Sequence, residues 1–181
     1  MLKLSIKILK SIINILLQET HVSKNLYLVV AAVLVGFYFL QTFTPSLSEE
    51  ELEAHKQASL DYLAANQFMG GVKVTESGLQ YEVLQSGTGT VHPKVSDMVT
   101  VHYDGSLVDG TVFDSSVARG EPITFGLGRV IAGWKEGLPL MVVGDKMRFF
   151  IPPSLAYGEK WAGKIPPNST LIFDVELLKI N

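Results

Sequence analysis

VHYDGSLVDGTVFDSSVARGEP, residues Val101–Pro122, begins with apolar side chains at every second place. Val99, Val101 and Tyr103 alternate with Thr100, His102 and Asp104, the period of a strand with one buried face. Upstream, Leu79, Tyr81 and Val83 alternate with Gln80 and Glu82 in the same way, and Lys146–Ile151 and Thr170–Lys179 provide two further strands. Gly and Pro punctuate the links between them. Inside this body only Ile131–Leu138 reads as a helix, about two turns long. Several antiparallel strands against one short helix make an α+β arrangement.

The N-terminal part has a different character. Leu26–Phe43 reads LYLVVAAVLVGFYFLQTF, uncharged and apolar all round. As a helix it would reach roughly 27 Å, against about 30 Å of bilayer hydrocarbon. A membrane span is therefore expected, with a buried core helix as the alternative. Lys3, Lys7, Lys10 and Lys24 precede the run, and the positive-inside rule leaves them in the cytoplasm and exports the residues beyond Pro45. A cleaved secretory signal shares the basic-then-apolar pattern, but no A-x-A site lies between Thr42 and Leu47, so an uncleaved signal anchor is the preferred reading. Leu2, Ile6, Leu9, Ile13 and Leu16 share one stripe of a basic amphipathic segment. The expected division is 1–25 basic cytoplasmic segment, 26–43 transmembrane signal anchor, 44–71 helical connector and 72–181 body.

In the connector, Ser48 and Glu51 have capping-box spacing, Glu49–Glu51 place negative charge at the positive end of the helix dipole, and Gly70 and Gly71 stop the helix. Leu52, Leu60, Leu63 and Phe68 give an imperfect apolar face for docking or self-association, and the solitary His55 is expected on a solvated surface. A net charge of −3 gives no reason to expect nucleic acid as a partner. The absence of cysteine excludes disulfides, thiolate metal sites and thiol nucleophiles.

VHYDGSLVDGTVFDSSVARGEP is followed by VIAGWKEGL (Val130–Leu138), AYG (Ala156–Gly158) and IPPNSTLIFDVELLK (Ile165–Lys179). In this order, from about Gly78 to Asn181, these words resemble the FKBP-type peptidyl-prolyl cis-trans isomerases. FDSSVARGEP and the ending IPPNSTLIFDVELL resemble the bacterial envelope branch, which includes the macrophage infectivity potentiator type. The resemblance implies a twisted antiparallel half-barrel wrapped around the short helix. It implies isomerisation of X-Pro bonds in exported proteins without nucleophile, metal or cofactor, with proline-containing polypeptides as clients and macrolides as inhibitors. With the anchor, it places the protein in the bacterial inner membrane as a single pass, N-terminus cytoplasmic and isomerase domain periplasmic. The alternative function is a chaperone module that binds proline segments with little turnover.

The resemblance also implies a site. Trp134 forms the floor of an apolar pocket, Tyr103, Phe113 and Phe173 its walls, with Phe125 in the same aromatic set. Val130 and Ile131 border the mouth, the Ile131 N–H and the Tyr157 hydroxyl meet substrate carbonyls, and Ile165 closes the other side. Asp114 sits at the pocket edge, either pairing with Arg119 and Tyr103 or capping the turn Asp114–Ser116. Asp114, Tyr157, Ile131 and Trp134 are the expected catalytic set, the others substrate-binding. Three departures stand out: Ile123 where many members carry an aromatic, the short link FGLGRV (Phe125–Val130), and GEKWAGK (Gly158–Lys164), which puts Trp161 and Lys164 near the mouth.

Overall fold

Met98–Leu107 (β3) is ten residues long, and its length organises the sheet. One edge pairs along its whole run with Leu171–Ile180 (β7). The other edge is shared: its first half pairs with Ile123–Gly126 (β5) and its second half with Val112–Ser115 (β4). In this computed structural model, which describes residues 48–181, Lys73–Val74 (β1), Gln80–Gln85 (β2) and Lys146–Ile151 (β6) complete a seven-stranded sheet of order β1-β2-β6-β7-β3-β4, with β5 also on β3. Every pairing is antiparallel. The expected α+β class is what the described residues form. The basic segment, the apolar run and the start of the connector lie outside them. Among the described residues no helix is long and apolar enough to cross a membrane.

Alternation sorts each strand between two faces. Val99, Val101, Tyr103 and Leu107 of β3 and Leu171, Phe173, Val175 and Leu177 of β7 are buried on one face, and the helix Ala132–Gly137 (α3) packs there. This helix lies close to the sheet because its sheet-facing positions are glycine. A Cβ on Gly137 would come 2.7 Å from the Phe149 ring, and one on Gly133 would collide with Ile151. Between them Trp134 enters the core, 6% exposed.

The opposite face carries the connector helix, Glu49–Asn66 (α1). Its start has the expected reciprocal cap: Ser48 Oγ accepts from Glu51 N–H (3.2 Å) and Glu51 Oε2 accepts from Ser48 N–H (2.8 Å). The seam itself differs from the expectation. Ser59 Oγ donates to Thr170 Oγ1 (2.7 Å) and accepts from Thr170 N–H (2.6 Å); Asn66 Nδ2 donates to Gln80 Oε1 (2.8 Å), and Gln80 Nε2 donates to Leu63 O (2.9 Å). Leu60 and Phe68, expected on a docking face, are 48% and 83% exposed. His55, expected in solvent, is partly buried with Nε2 2.9 Å from Ser169 Oγ. A polar stripe thus binds this helix, with Tyr62 laid beside Phe150 at 6.2 Å between ring centroids. The helix ends at Asn66, before the glycines, where the Asn66 side chain turns into the sheet.

Alternation did not reveal the shortest elements. Ser116–Arg119 (α2) is a single turn, capped by Ser115 Oγ accepting from Ala118 N–H (2.8 Å) and ended by Gly120 at φ +75°. Four-residue strands such as β4 and β5 hold too few side chains for a period to show.

Candidate functional site

An open cleft of about 840 Å³ lies above Trp134. Its lining brings together Tyr103, Phe113, Asp114, Phe125, Val130, Ile131, Trp134, Tyr157, Ile165 and Phe173 from strands and loops far apart in the chain. Alternation puts Tyr103 and Phe173 on the inward face of β3 and β7, and Gly105 lets the walls meet. A Cβ on Gly105 would come 2.7 Å from both the Phe113 and Phe173 rings.

The indole of Trp134 is the floor. Tyr103 and Phe173 meet it edge-on at 5.4 and 5.1 Å between centroids, and Phe125 lies tilted at 5.4 Å. Phe113 in turn meets Phe173 edge-on at 5.4 Å. Such pairs favour these geometries through their quadrupoles and hold one another's rotamers. Trp134 Nε1 is buried without a hydrogen-bond partner among the described residues. Ile131 caps α3, its carbonyl accepting from Trp134 and Lys135 N–H (3.1 and 3.2 Å), so the residue at the mouth and the floor share one turn.

The polar edge is a three-membered network. Tyr103 Oη donates to Asp114 Oδ2, Arg119 Nη1 donates to Asp114 Oδ1, and Arg119 Nη2 donates to Tyr103 Oη (3.1 Å). Of the two readings of Asp114, the pairing with Tyr103 and Arg119 is therefore formed, and Ser115 supplies the cap of the following turn. Burial pushes the Tyr103 hydroxyl above the usual tyrosine range, and its bond to the carboxylate adds to this. Burial also pushes the Asp114 carboxyl up, but the Tyr103 hydroxyl and the Arg119 guanidinium outweigh it and hold the carboxyl below its ordinary value. Arg119 stays outside the cleft lining and reaches it only through these partners.

Ile123 and Lys164, two of the noted departures, do line the cleft, whereas Trp161 is 50% exposed and outside it. Sequence reasoning missed Arg129, Ala162 and Gly163. These sit in turns placed by closure of the chain, so no periodicity marks them. Among the described residues no group of three His, Cys, Asp or Glu side chains is arranged to hold a metal.

A solved peptidyl-prolyl cis-trans isomerase from Pseudomonas syringae pv. tomato superposes with a TM-score of 0.68 at 35% identity, over 75% of this chain and 99% of that one. The family model for FKBP-type peptidyl-prolyl cis-trans isomerase matches residues 89–178, and that for the domain amino terminal to it matches residues 8–83. This chain belongs to the FKBP-type peptidyl-prolyl cis-trans isomerases. Within the FKBP-type family it is of the bacterial FkpA/Mip type. It is 54% identical over 141 residues to FkpA of Aeromonas hydrophila, covering 78% of this chain and 52% of that protein. It is 50% identical over 125 residues to the isomerase Mip of Coxiella burnetii, covering 68% and 54%. The FKBP-type chain thus spans about half the length of these curated relatives.

Proposed function

We propose that this protein is a peptidyl-prolyl cis-trans isomerase that acts on X-Pro bonds by non-covalent stabilisation of the twisted amide. The observation that carries the reading is the aromatic cleft, its Trp134 floor packed edge-on by Tyr103 and Phe173, with polar side chains placed around it. Rotation about the amide passes through a state that has lost resonance and much of its charge separation, across a barrier of about 18–20 kcal/mol in water. An apolar cleft binds that state better than the planar, more polar ground state. This difference is what catalysis requires. A million-fold acceleration needs about 8 kcal/mol, shared among shape, dehydration and directed hydrogen bonds.

In this mechanism the proline ring sits on Trp134 between Tyr103, Phe113 and Phe173. The Ile131 N–H holds one substrate carbonyl and the Tyr157 hydroxyl another. Asp114, fixed by Tyr103 and Arg119, sets the field at the rim where the rotating carbonyl swings. Turnover of an X-Pro peptide tests the assignment. Asp114→Ala and Tyr157→Phe should fold normally yet lose about tenfold to a hundredfold in kcat/KM, equivalent to about 1–3 kcal/mol. Wild-type turnover in both variants would remove these residues from the mechanism.

The proposed setting is the bacterial envelope, with Leu26–Phe43 as an uncleaved anchor and the isomerase domain on the periplasmic side acting on exported clients. The uncharged run and the lysines before it support this. The same residues fall inside the match to the amino-terminal domain, so topology has to be measured. A reporter fused after Asn181 should read as exported, and carbonate washing should leave the full-length chain in the membrane fraction. A cytoplasmic reporter reading or release by carbonate would exclude the anchor. Macrolides that mimic a twisted prolyl amide are proposed to compete with peptide for the cleft, which a displacement titration reads.

A further inference from the structure

The rim of the cleft carries a charge that isomerisation itself does not use. Arg129 and Lys164 both line it, from separate segments. Arg129 ends the short turn Leu127–Arg129, which is anchored by the fully buried Leu127 and its N–H bond to Asp97 O (2.9 Å). Lys164 stands in a two-residue turn closed by reciprocal bonds between Ala162 and Ile165 (3.0 Å each), with Gly163 at φ +60° and Ile165 buried beneath. Both cations therefore extend from fixed backbone. Ion pairs among the described residues join Lys56 to Glu53, Arg119 to Asp114 and Arg148 to Asp174, and neither rim cation takes part.

Asp114 is the only acidic side chain in the lining, and it is already engaged by Arg119 and Tyr103. Glu159 and Lys160, in the same loop as Lys164, stay outside the lining and offset each other. The mouth is thus locally cationic in a chain whose net charge is −3. Beside low-dielectric aromatic walls, such charges attract an anionic group more strongly than they would on an open surface.

We propose that Arg129 and Lys164 are specificity-determining residues that make the cleft favour X-Pro segments carrying an aspartate or glutamate over those carrying a lysine within two residues of the proline. The preference rests on the isomerase reading of the same cleft. It selects among substrates and leaves the rotation step unchanged.

The test is cis-trans exchange measured by NMR without a coupling protease, on matched peptides with Glu, Leu or Lys flanking the proline on either side. At low salt the full-length protein should act on the better Glu peptide about three- to tenfold more efficiently than on its Lys counterpart, the Leu peptide serving as the uncharged reference for activity. The ratio should shrink as salt rises past about 0.1 M, where the Debye length falls to about 10 Å. In Arg129→Gln/Lys164→Gln the Glu-to-Lys ratio should fall toward one. The ratio is taken within each variant, so a general loss of activity cancels. A Glu-to-Lys ratio near one in the wild type, or one unchanged by the double substitution, overturns the proposal while leaving isomerase activity intact. Failure to turn over even the Leu peptide would overturn the isomerase reading itself, and this inference with it.

Discussion

The two faces of the sheet are joined to their helices by opposite means. On the cleft side, α3 meets β6 and β7 through glycine backbone and aromatic rings, with Gly137 against Phe149 and Trp134 against Phe173. On the far side, α1 meets β2 and Thr170, the residue before β7, through hydrogen bonds between buried polar groups, Asn66 with Gln80 and Ser59 with Thr170, with Tyr62 beside Phe150 of β6. The first seam gets its strength from dispersion and dehydration, and it leaves a concave apolar surface that a substrate can use. The second depends on geometry. A buried amide or hydroxyl adds little beyond its cost of dehydration when paired, and destabilises strongly when its partner is removed. Apolar packing therefore builds the site, while polar matching fixes where α1 lies.

Substitutions should separate the two seams, the largest effect coming first on the cleft side. Trp134→Ala removes the floor shared by three rings and should cost about 3–5 kcal/mol of stability together with the activity. Chemical denaturation and turnover read the two losses. Gly137→Ala should follow at about 1–3 kcal/mol, because the new methyl meets a ring that is itself fully buried. On the polar side, Asn66→Ala leaves Gln80 Oε1 without its donor and should also cost about 1–3 kcal/mol, with turnover per folded molecule unchanged. An effect of Asn66→Ala on kcat/KM as large as that on stability would show that the two seams are coupled. Leu60→Ala, on the exposed side of α1, should stay within about 0.5 kcal/mol. A larger loss would mean that this side chain is covered in the full-length protein.

Acid should act on the cleft rim through Asp114. Asp114 is held below its ordinary value in the folded state, so its ion pair with Arg119 is fully present above the unfolded carboxylate value of about 3.9 and is lost as pH falls through the lower folded value. Melting temperatures of the wild type and Asp114→Asn should therefore converge below about pH 4 and separate above it. An unchanging gap across that range would mean that the carboxylate charge makes no contribution.

The contrast between the seams also explains what could be read in the sequence. β3 and β7 were legible because each alternates between buried and less buried positions over most of ten residues. By contrast, β2 departs from its expected pattern, with Gln80 buried under α1 and Val83 39% exposed, and β6 ends in three consecutive buried residues covered on both faces. Trp134, Tyr103, Phe113 and Phe173 could be assigned to one pocket through the resemblance, and the alternation of β3 and β7 places two of them on one face. The docking face of α1 was not legible. Its buried positions are Ser59 and Asn66, while Leu60 and, just beyond its end, Phe68 are exposed, so a search for an apolar stripe selects the wrong side. Arg129 and Ala162 were missed for another reason. Each enters the cleft on a turn fixed by backbone hydrogen bonds, Leu127 N–H to Asp97 O for Arg129 and the reciprocal Ala162–Ile165 pair for Ala162.

The central claim is that the cleft accelerates X-Pro rotation by binding the twisted amide, with no group exchanging a proton. The lining contains no histidine, Asp114 is held below the usual carboxylate range and Tyr103 is pushed above the usual phenol range. The most direct measurement is the pH profile of kcat/KM for catalysed exchange of an uncharged X-Pro peptide. The account predicts strong acceleration that is flat between about pH 5 and 8, the interval in which an acid-base mechanism would show its titrating group. A bell-shaped or stepped profile in that interval, or no acceleration at all, would contradict it.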